Sequence, residues 1–348
     1  MIPEQVILTE WDQASENTFT KIFRAGDVLF GRRRAYLKKA AVAPFDGICS
    51  GDITVIAAKE DVLSPRLLPF IIQNDMLFDY AVKMSAGGLS PRVKWQNLKD
   101  FVVILPDLEK QEELAEILWS MEYTKRAYRN MIAQTDELVK SQFIELFGDP
   151  VTNTQNRKVV PFGSYMTSIK YGTSQPPIFT GNGKYKFIRA TNIKAGRITE
   201  VDMLRIDDSA ASKLEKCKLH GHEIIIVRSG ANTGDTCVVT AEYANQYAGY
   251  DIIVSLDPAR CNPIYYNELL NTHYMQQVVK PLTARSAQPH INAQQVQSLP
   301  MLEASLQEQN VFAVFVEQSD KSKFELQKAL DELTAMQKKL MLNTFSEQ

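Results

Sequence analysis

Two stretches of about forty residues without a single Pro or Gly constrain this chain more than anything else in it. The first runs from Asp107 to Phe147 and the second from Leu306 to Phe345. Nothing in either breaks a helix. In the first, Leu114, Met121, Tyr128 and Thr135 hold one position of a seven-residue beat. Leu118, Ile132, Val139 and Leu146 hold the other, with Lys125 interrupting. That three-and-four spacing is a coiled-coil seam. At about 1.5 Å per residue such a helix is roughly 60 Å long, too long for the interior of one compact domain, so it must pack on something of its own length.

The chain supplies that partner. Phe312, Ser319, Leu326, Leu333 and Leu340, set against Val316, Lys323, Leu330, Gln337 and Thr344, repeat the beat 198 residues later, so that Gln111 answers Gln309 and Lys125 answers Lys323. A register shared over this length marks an internal repeat, with the two helices lying against each other. The expected partner-facing residues are Leu114, Leu118, Met121, Tyr128, Ile132, Phe312, Val316, Leu326, Leu330, Leu333 and Leu340.

At 348 residues there is room for two domains besides the helices. The segment before the first helix reads as short strands (VILTEW, GDVLF, AAVAPF, DITVIAA and FVVILP) around one helix, LLPFIIQNDMLFDYAVKM. After a Gly148–Pro150 stop and a polar linker, residues 159–304 read alike, with IYYNELLNTHYMQQVVK as the helix. Gly26 answers Gly221, Asp52 answers Asp251 and Pro106 answers Pro300. The expected fold is mixed α/β: two globules (residues 1–106 and 159–304), two long antiparallel helices (107–147 and 305–346), a linker at 148–158, and a pseudo-twofold repeat. The halves differ at their starts. About 60 residues separate Pro161 from Gly221 while 25 precede Gly26, so the first globule lacks roughly the opening 35 residues of the second.

Net charge is −2, mildly against a dedicated nucleic-acid binder, yet Lys21–Lys39 carries seven basic residues against one acid. Arg32, Arg33, Arg34, Lys38 and Lys39 form the densest cluster, suited to neutralising phosphates. Arg228, Ser229 and Asn232 follow a strand with groups that fit base edges or phosphates. The loops holding Arg92 and Lys94, and Arg285, His290 and Asn292, occupy matching places in the repeat and serve either recognition or the fold. Lys184, Lys186 and Arg189 fall along one strand, most simply a solvated face; Arg189 joins the candidate contacts. Asn262-Pro263-Ile264-Tyr265-Tyr266 is like the flipped-base loop of adenine methyltransferases, but it lacks a second Pro and opens a helix whose pattern makes the tyrosines core. Pro106–Lys110 is a helix start. Four scattered cysteines suggest neither zinc site nor disulfide frame and fit a reducing cytoplasm. No apolar run reaches the length of a membrane span, and the opening residues are not a secretory signal. No catalytic constellation stands out.

Several blocks, among them APFDGICSGD, SAGGLSPRVKW, LPDLEKQEELAEILWS, SQFIELFGDP, KFIRATNI, YAGYDIIVS and KKLMLNTF, together with the repeat, make the chain resemble the specificity (S) subunit of Type I restriction–modification systems. The resemblance implies that each globule reads one half of a bipartite double-stranded DNA target. The helices would set the gap and dock modification (methyltransferase) subunits, with restriction (translocase–nuclease) subunits completing the assembly. It implies a non-catalytic chain without cofactors of its own, S-adenosylmethionine, ATP and Mg being bound by the partners. The alternatives are an autonomous adenine methyltransferase and an antirestriction scaffold that does not read DNA.

Overall fold

The computed structural model describes residues 1–3, 5–13, 16–283 and 289–345. The two Pro- and Gly-free stretches are continuous helices, Leu108–Phe147 and Leu306–Phe345. Their first residues lie 198 apart and so do their last. Asp107 caps the first: its carboxylate accepts from Lys110 N at 2.9 Å, a bond that holds its pKa below the usual range. The chain divides into two compact units, Met1–Ile132 with Glu325–Gln348, and Ala133–Phe324. The division crosses both helices instead of following their ends, because each unit holds the start of one helix beside the end of the other.

The first unit contains strands β1 (Lys21–Phe23), β2 (Val28–Gly31), β3 (Ala40–Val42), β4 (Gly47–Cys49) and β5 (Ile53–Ile56). Its helices are α1 (Leu68–Ile72), α2 (Asp75–Lys83), α3 (Trp95–Leu98) and part of α4 (Leu108–Phe147). An antiparallel sheet of order β3-β2-β5 buries Val28 and Phe30 against Leu68 and Phe78, and β1 pairs with β4. The expected single helix is broken at Gln73–Asn74, where the Asn74 side chain accepts from Met76 N and starts a new helix. Neither VILTEW nor FVVILP is a strand. Ile7 makes only a lone bridge to Val42, and no strand pairs with residues 101–107 among the described residues.

The second unit holds β6 (Val159–Pro161), β7 (Met166–Tyr171), β8 (Tyr185–Ile188), β9 (Ile193–Lys194), β10 (Arg197–Ile198) and β11 (Leu204–Ile206). These are followed by β12 (Ile224–Ile226), β13 (Thr236–Val238), β14 (Tyr247–Ala248), β15 (Ile252–Leu256) and β16 (Pro300–Leu302). The helices are α5 (Asp208–Ser212), α6 (Pro263–Asn271), α7 (Lys280–Thr283), α8 (Ala293–Gln297) and the rest of α4 and α9 (Leu306–Phe345). The main sheet runs β13-β12-β15-β7, beside it lies β11-β8-β14, and β16 pairs with β6. Here too the expected single helix is interrupted, by a π-helical turn at Met275–Val279. In β12, Ile224, Ile225 and Ile226 are all buried, because apolar clusters cover both faces of this central strand.

Within each unit the two long helices run antiparallel. In the first, Leu114, Ala115 and Leu118 of α4 pack with Met341 and Phe345 of α9. In the second, Val139, Phe143 and Phe147 pack with Phe312 and Val316. Leu118, Phe312, Val316 and Leu330 are buried, and Met121, Tyr128, Ile132, Leu326, Leu333 and Leu340 half-buried. Leu146 departs from the expected seam, being 40% exposed while Phe143 and Phe147 are buried. A 3.6-residue helix drifts away from a strict heptad by about 20° per repeat. The last turns of α4 accordingly face Tyr265 of α6, with ring centroids 5.4 Å from Phe143 and 4.8 Å from Phe147.

Each helix is tied to its unit by one buried glutamine. Gln111 donates to the carbonyls of Val62 (3.1 Å) and Pro106 (2.9 Å) and accepts from Ser64 N (2.9 Å). Gln309 donates to Arg260 and Ala304 (3.2 and 2.8 Å) and accepts from Asn262 N (2.7 Å). All three partners in the second set are the first set moved by 198 residues. The clamp therefore corrects one expected correspondence: Pro106 matches Ala304, not Pro300. Replacing Gln309 by Leu keeps the volume but strands one buried N–H and two carbonyls. At 1–3 kcal/mol for each unsatisfied group, partly relieved by relaxation, the expected loss is about 3 kcal/mol, read from the urea midpoint of the variant against the wild type.

Candidate nucleic-acid interface

The strongest local repeat outside the helices lies where a central strand ends beside a returning loop. In the first unit, Arg32 follows β2; Val93 N donates to its carbonyl at 3.0 Å, and Arg33 forms an antiparallel bridge with Arg92. In the second, Arg228 follows β12 closely; Ile291 N donates to its carbonyl at 2.9 Å, and Ser229 bridges His290. The two loops singled out by their matching sequence positions thus meet the two basic segments in space.

In the first unit an acid organises the cluster. Asp52 lies 3.0 Å from Arg92 Nε and 3.7 Å from Arg33 Nη1, and Arg33 Nε donates to Ser90 Oγ at 2.6 Å. Arg33 and Arg92 are about half exposed, so these bonds orient them more than they stabilise the fold. Arg34 is held with φ 54° by its N–H bond to Pro91 O and starts a single 3₁₀ turn, Ala35–Leu37, that ends at Lys38 with φ 48°. Two non-glycine residues in the left-handed region make a strained, sharply defined turn. Lys38 is not a free cation, since it meets Asp75 at 2.6 Å; Lys39 and Lys94 are exposed.

In the second unit aromatic rings organise it. The Arg228 guanidinium lies 4.6 Å from the ring centroid of Tyr171 and 4.3 Å from that of Tyr250, a cation held between two π faces. Asp251 receives Arg228 N at 3.1 Å. Burial pushes its carboxyl up to about 6 against the lowering effect of that bond. Asp52 and Asp251 stand one residue apart in the repeat, since the ladder register matches Thr54, not Ile53, with Ile252. Gly172, next to Tyr171, has no room for a side chain: a Cβ there would stand 1.7 Å from Gly249 O.

Other expected contacts have structural work. Asn292 caps α8, accepting from Gln295 N at 2.9 Å. Asn232 donates to Ala190 O, and Arg189 to Asp202 O. The basic face of Lys184 and Lys186 is paired with Asp208, Glu200 and Glu242 and so is not an open stripe. Ser229 and His290 are exposed, while Arg285 lies outside the described residues. Sequence reasoning missed Tyr171 and Tyr250. Tyr250 sits beside Asp251, which the repeat had marked; Tyr171 reaches Arg228 only through sheet pairing. The Asn-Pro-Ile-Tyr-Tyr segment is a helix cap followed by two fully buried tyrosines. No cluster able to hold a metal ion occurs among the described residues, and no described helix is long and apolar enough to cross a membrane.

Two units on one plan, each with an arginine-bearing strand end and a share of paired long helices, define a duplicated two-unit protein. Residues 7–134 and 167–334 match the Type I restriction modification DNA specificity domain, and the chain belongs to that family. It is 27% identical over 134 residues to the Type I restriction enzyme EcoDI specificity subunit of Escherichia coli, an alignment spanning 37% of this chain and 30% of that subunit. The S subunit of a Type I restriction–modification system from M. genitalium shares the fold at TM-score 0.58 and 12% identity, over 100% of this chain and 92% of that one. A chain from a structure concerning complex assembly and conformational transition of the type I R-M system aligns at TM-score 0.52 and 21% identity, over 93% and 83%.

The Asp251 carboxyl yields a sign-defined test. Its folded pKa lies above the unfolded value, so folding favours the protonated form. That contribution is complete below about pH 4 and is lost as pH rises through 6. Asp251→Asn keeps an acceptor for Arg228 N and removes the titration. Its stability relative to wild type is expected to rise by about 2 kcal/mol from pH 4 to pH 7, measured by denaturant unfolding at each pH.

Proposed function

We propose that this chain is the sequence-specific DNA-binding subunit of a Type I restriction–modification complex, each unit reading one half of a bipartite target. The observation that carries the reading is the family match in both halves of the chain. The repeated strand-end clusters agree with it. In this reading Arg33, Arg34 and Arg92 meet phosphates and base edges from the first unit, and Arg228, Ser229 and His290 do so from the second. Arginine suits both tasks, because its planar fork pairs bidentately with phosphate or with guanine O6 and N7.

In this reading the paired helices set the distance between half-sites and present their outer faces to modification subunits, which carry S-adenosylmethionine and methyl transfer. ATP and Mg belong to the restriction subunit, and the assembly works in the cytoplasm. The chain itself contributes address, not chemistry.

Two measurements test this. Adenine-methylation maps of cells with and without the gene, its partner genes present, are expected to differ by one bipartite motif; identical maps would refute the reading. The combined Arg33→Ala, Arg34→Ala and Arg92→Ala variant is expected to bind target DNA more weakly. The slope of log affinity against log salt should flatten by about two, less than three full contacts because two of the arginines share Asp52. An unchanged slope removes the cluster from the interface.

A further inference from the structure

Cations that lie over aromatic rings in this chain mostly spend their donors within the protein. Arg157 bonds Glu308 at 3.0 Å, Lys184 meets Asp208, Lys186 meets Glu200 and Glu242, and Arg260 donates to Ser164 O at 3.1 Å. Arg228 differs. Its guanidinium is held against two rings, Tyr171 and Tyr250, yet its side-chain donors make no hydrogen bond or ion pair with any described residue. Arg33 and Arg92 of the first unit, by contrast, share Asp52.

The clamp is built by backbone. Ile226, Ile252 and Tyr171 stand in one register row across β12, β15 and β7, which brings Tyr171 to the side of the strand end that carries Arg228. The Tyr171 hydroxyl accepts from Ala293 N at 2.8 Å, at the start of α8. Gly172 N donates to Asp251 O at 2.9 Å, and only a residue without Cβ lets this segment pass so close to Gly249 O. That approach puts Tyr171 and Tyr250 within reach of one guanidinium. Arg228 is itself fixed at both ends of its peptide: its N–H donates to the Asp251 carboxylate at 3.1 Å and its carbonyl accepts from Ile291 N at 2.9 Å.

We propose that Arg228 reads a guanine in the half-site of the second unit, with Tyr171 and Tyr250 as positioning residues that hold its donors in one plane. The inference rests on the DNA-reading function proposed above and names the base. Aromatic rings bind the guanidinium through its π face and leave the N–H donors along its edge for a ligand. A phosphate needs a positive charge nearby and tolerates many orientations. A clamp that restrains the guanidinium plane benefits a planar partner with two acceptors side by side, which guanine presents as O6 and N7 in the major groove. Tyr171 and Tyr250 are 38% and 42% exposed, so the clamp opens onto the surface where a duplex can reach it.

The test measures binding of the complex with its modification subunits to the target that the methylation map defines. Each guanine in turn is replaced by 7-deazaguanine, which keeps base pairing and lacks the N7 acceptor. One position, in one half-site, is expected to weaken binding by the unaltered protein about tenfold. Arg228→Ala should abolish that sensitivity and leave the other half-site unchanged. Tyr250→Phe, which keeps the ring, should retain it, and Tyr250→Leu should reduce it. A defined target with no sensitive guanine, or a sensitivity that survives Arg228→Ala, would overturn the proposal. So would equal sensitivity in Tyr250→Leu and Tyr250→Phe, which would deny the rings their positioning role. If Arg228→Ala only flattens the salt slope by about one, with every 7-deazaguanine effect intact, Arg228 meets a phosphate and the guanine assignment is wrong. A methylation map without any bipartite motif would instead refute the underlying function, and this inference with it.

Discussion

A glutamine buried one turn inside each long helix governs how the rest of this protein is arranged. Gln111 and Gln309 each satisfy two carbonyls and one amide of the loops beside them. Buried amides left without partners cost too much to tolerate, so each clamp admits one angle and one register of helix against globule. Sharing one set of partners at a fixed offset, the two clamps make the duplication visible at the level of single hydrogen bonds.

The seam between the helices is apolar at its ends and polar farther in. In the first unit Lys125, nearly inaccessible, reaches Glu122 at 2.8 Å and Gln337 at 2.6 Å. In the second, Lys323 meets Asp320 at 3.0 Å and Asp136 at 2.5 Å, and Arg197 ties Asp320 to Glu268 of α6. Such layers add little net stability, because desolvating the charges offsets much of their attraction. Their effect is selective: sliding either helix by one turn would leave a buried lysine opposite leucine. Register is specified by what misalignment would cost.

Around this frame the repeat has diverged unevenly. The strand end that carries Arg33 or Arg228 survives in both units, but its support differs. A shared carboxylate orients the arginines of one; two tyrosine rings hold the arginine of the other. Tyr171 belongs to β7, which the first unit does not have.

The helices, their register and the 198-residue duplication were legible in the chain itself, because a seven-residue apolar beat and the absence of helix breakers are local properties that long helices cannot hide. The two basic segments and the two recurring loops stood out by their matching positions, but that they meet is a fact of the folded chain. What only tertiary structure decided depended on neighbours distant in the chain. Residues 101–107 carry the composition of a strand, yet no strand pairs with them among the described residues. Leu146 keeps the beat yet faces outward, because the end of α4 turns toward Tyr265. Tyr171 became part of a site through sheet pairing, and Asn292 left it by capping a helix. Periodicity records which face of an element is apolar; which surface meets it, and whether one arrives at all, is set by the packing of segments that sequence spacing does not connect.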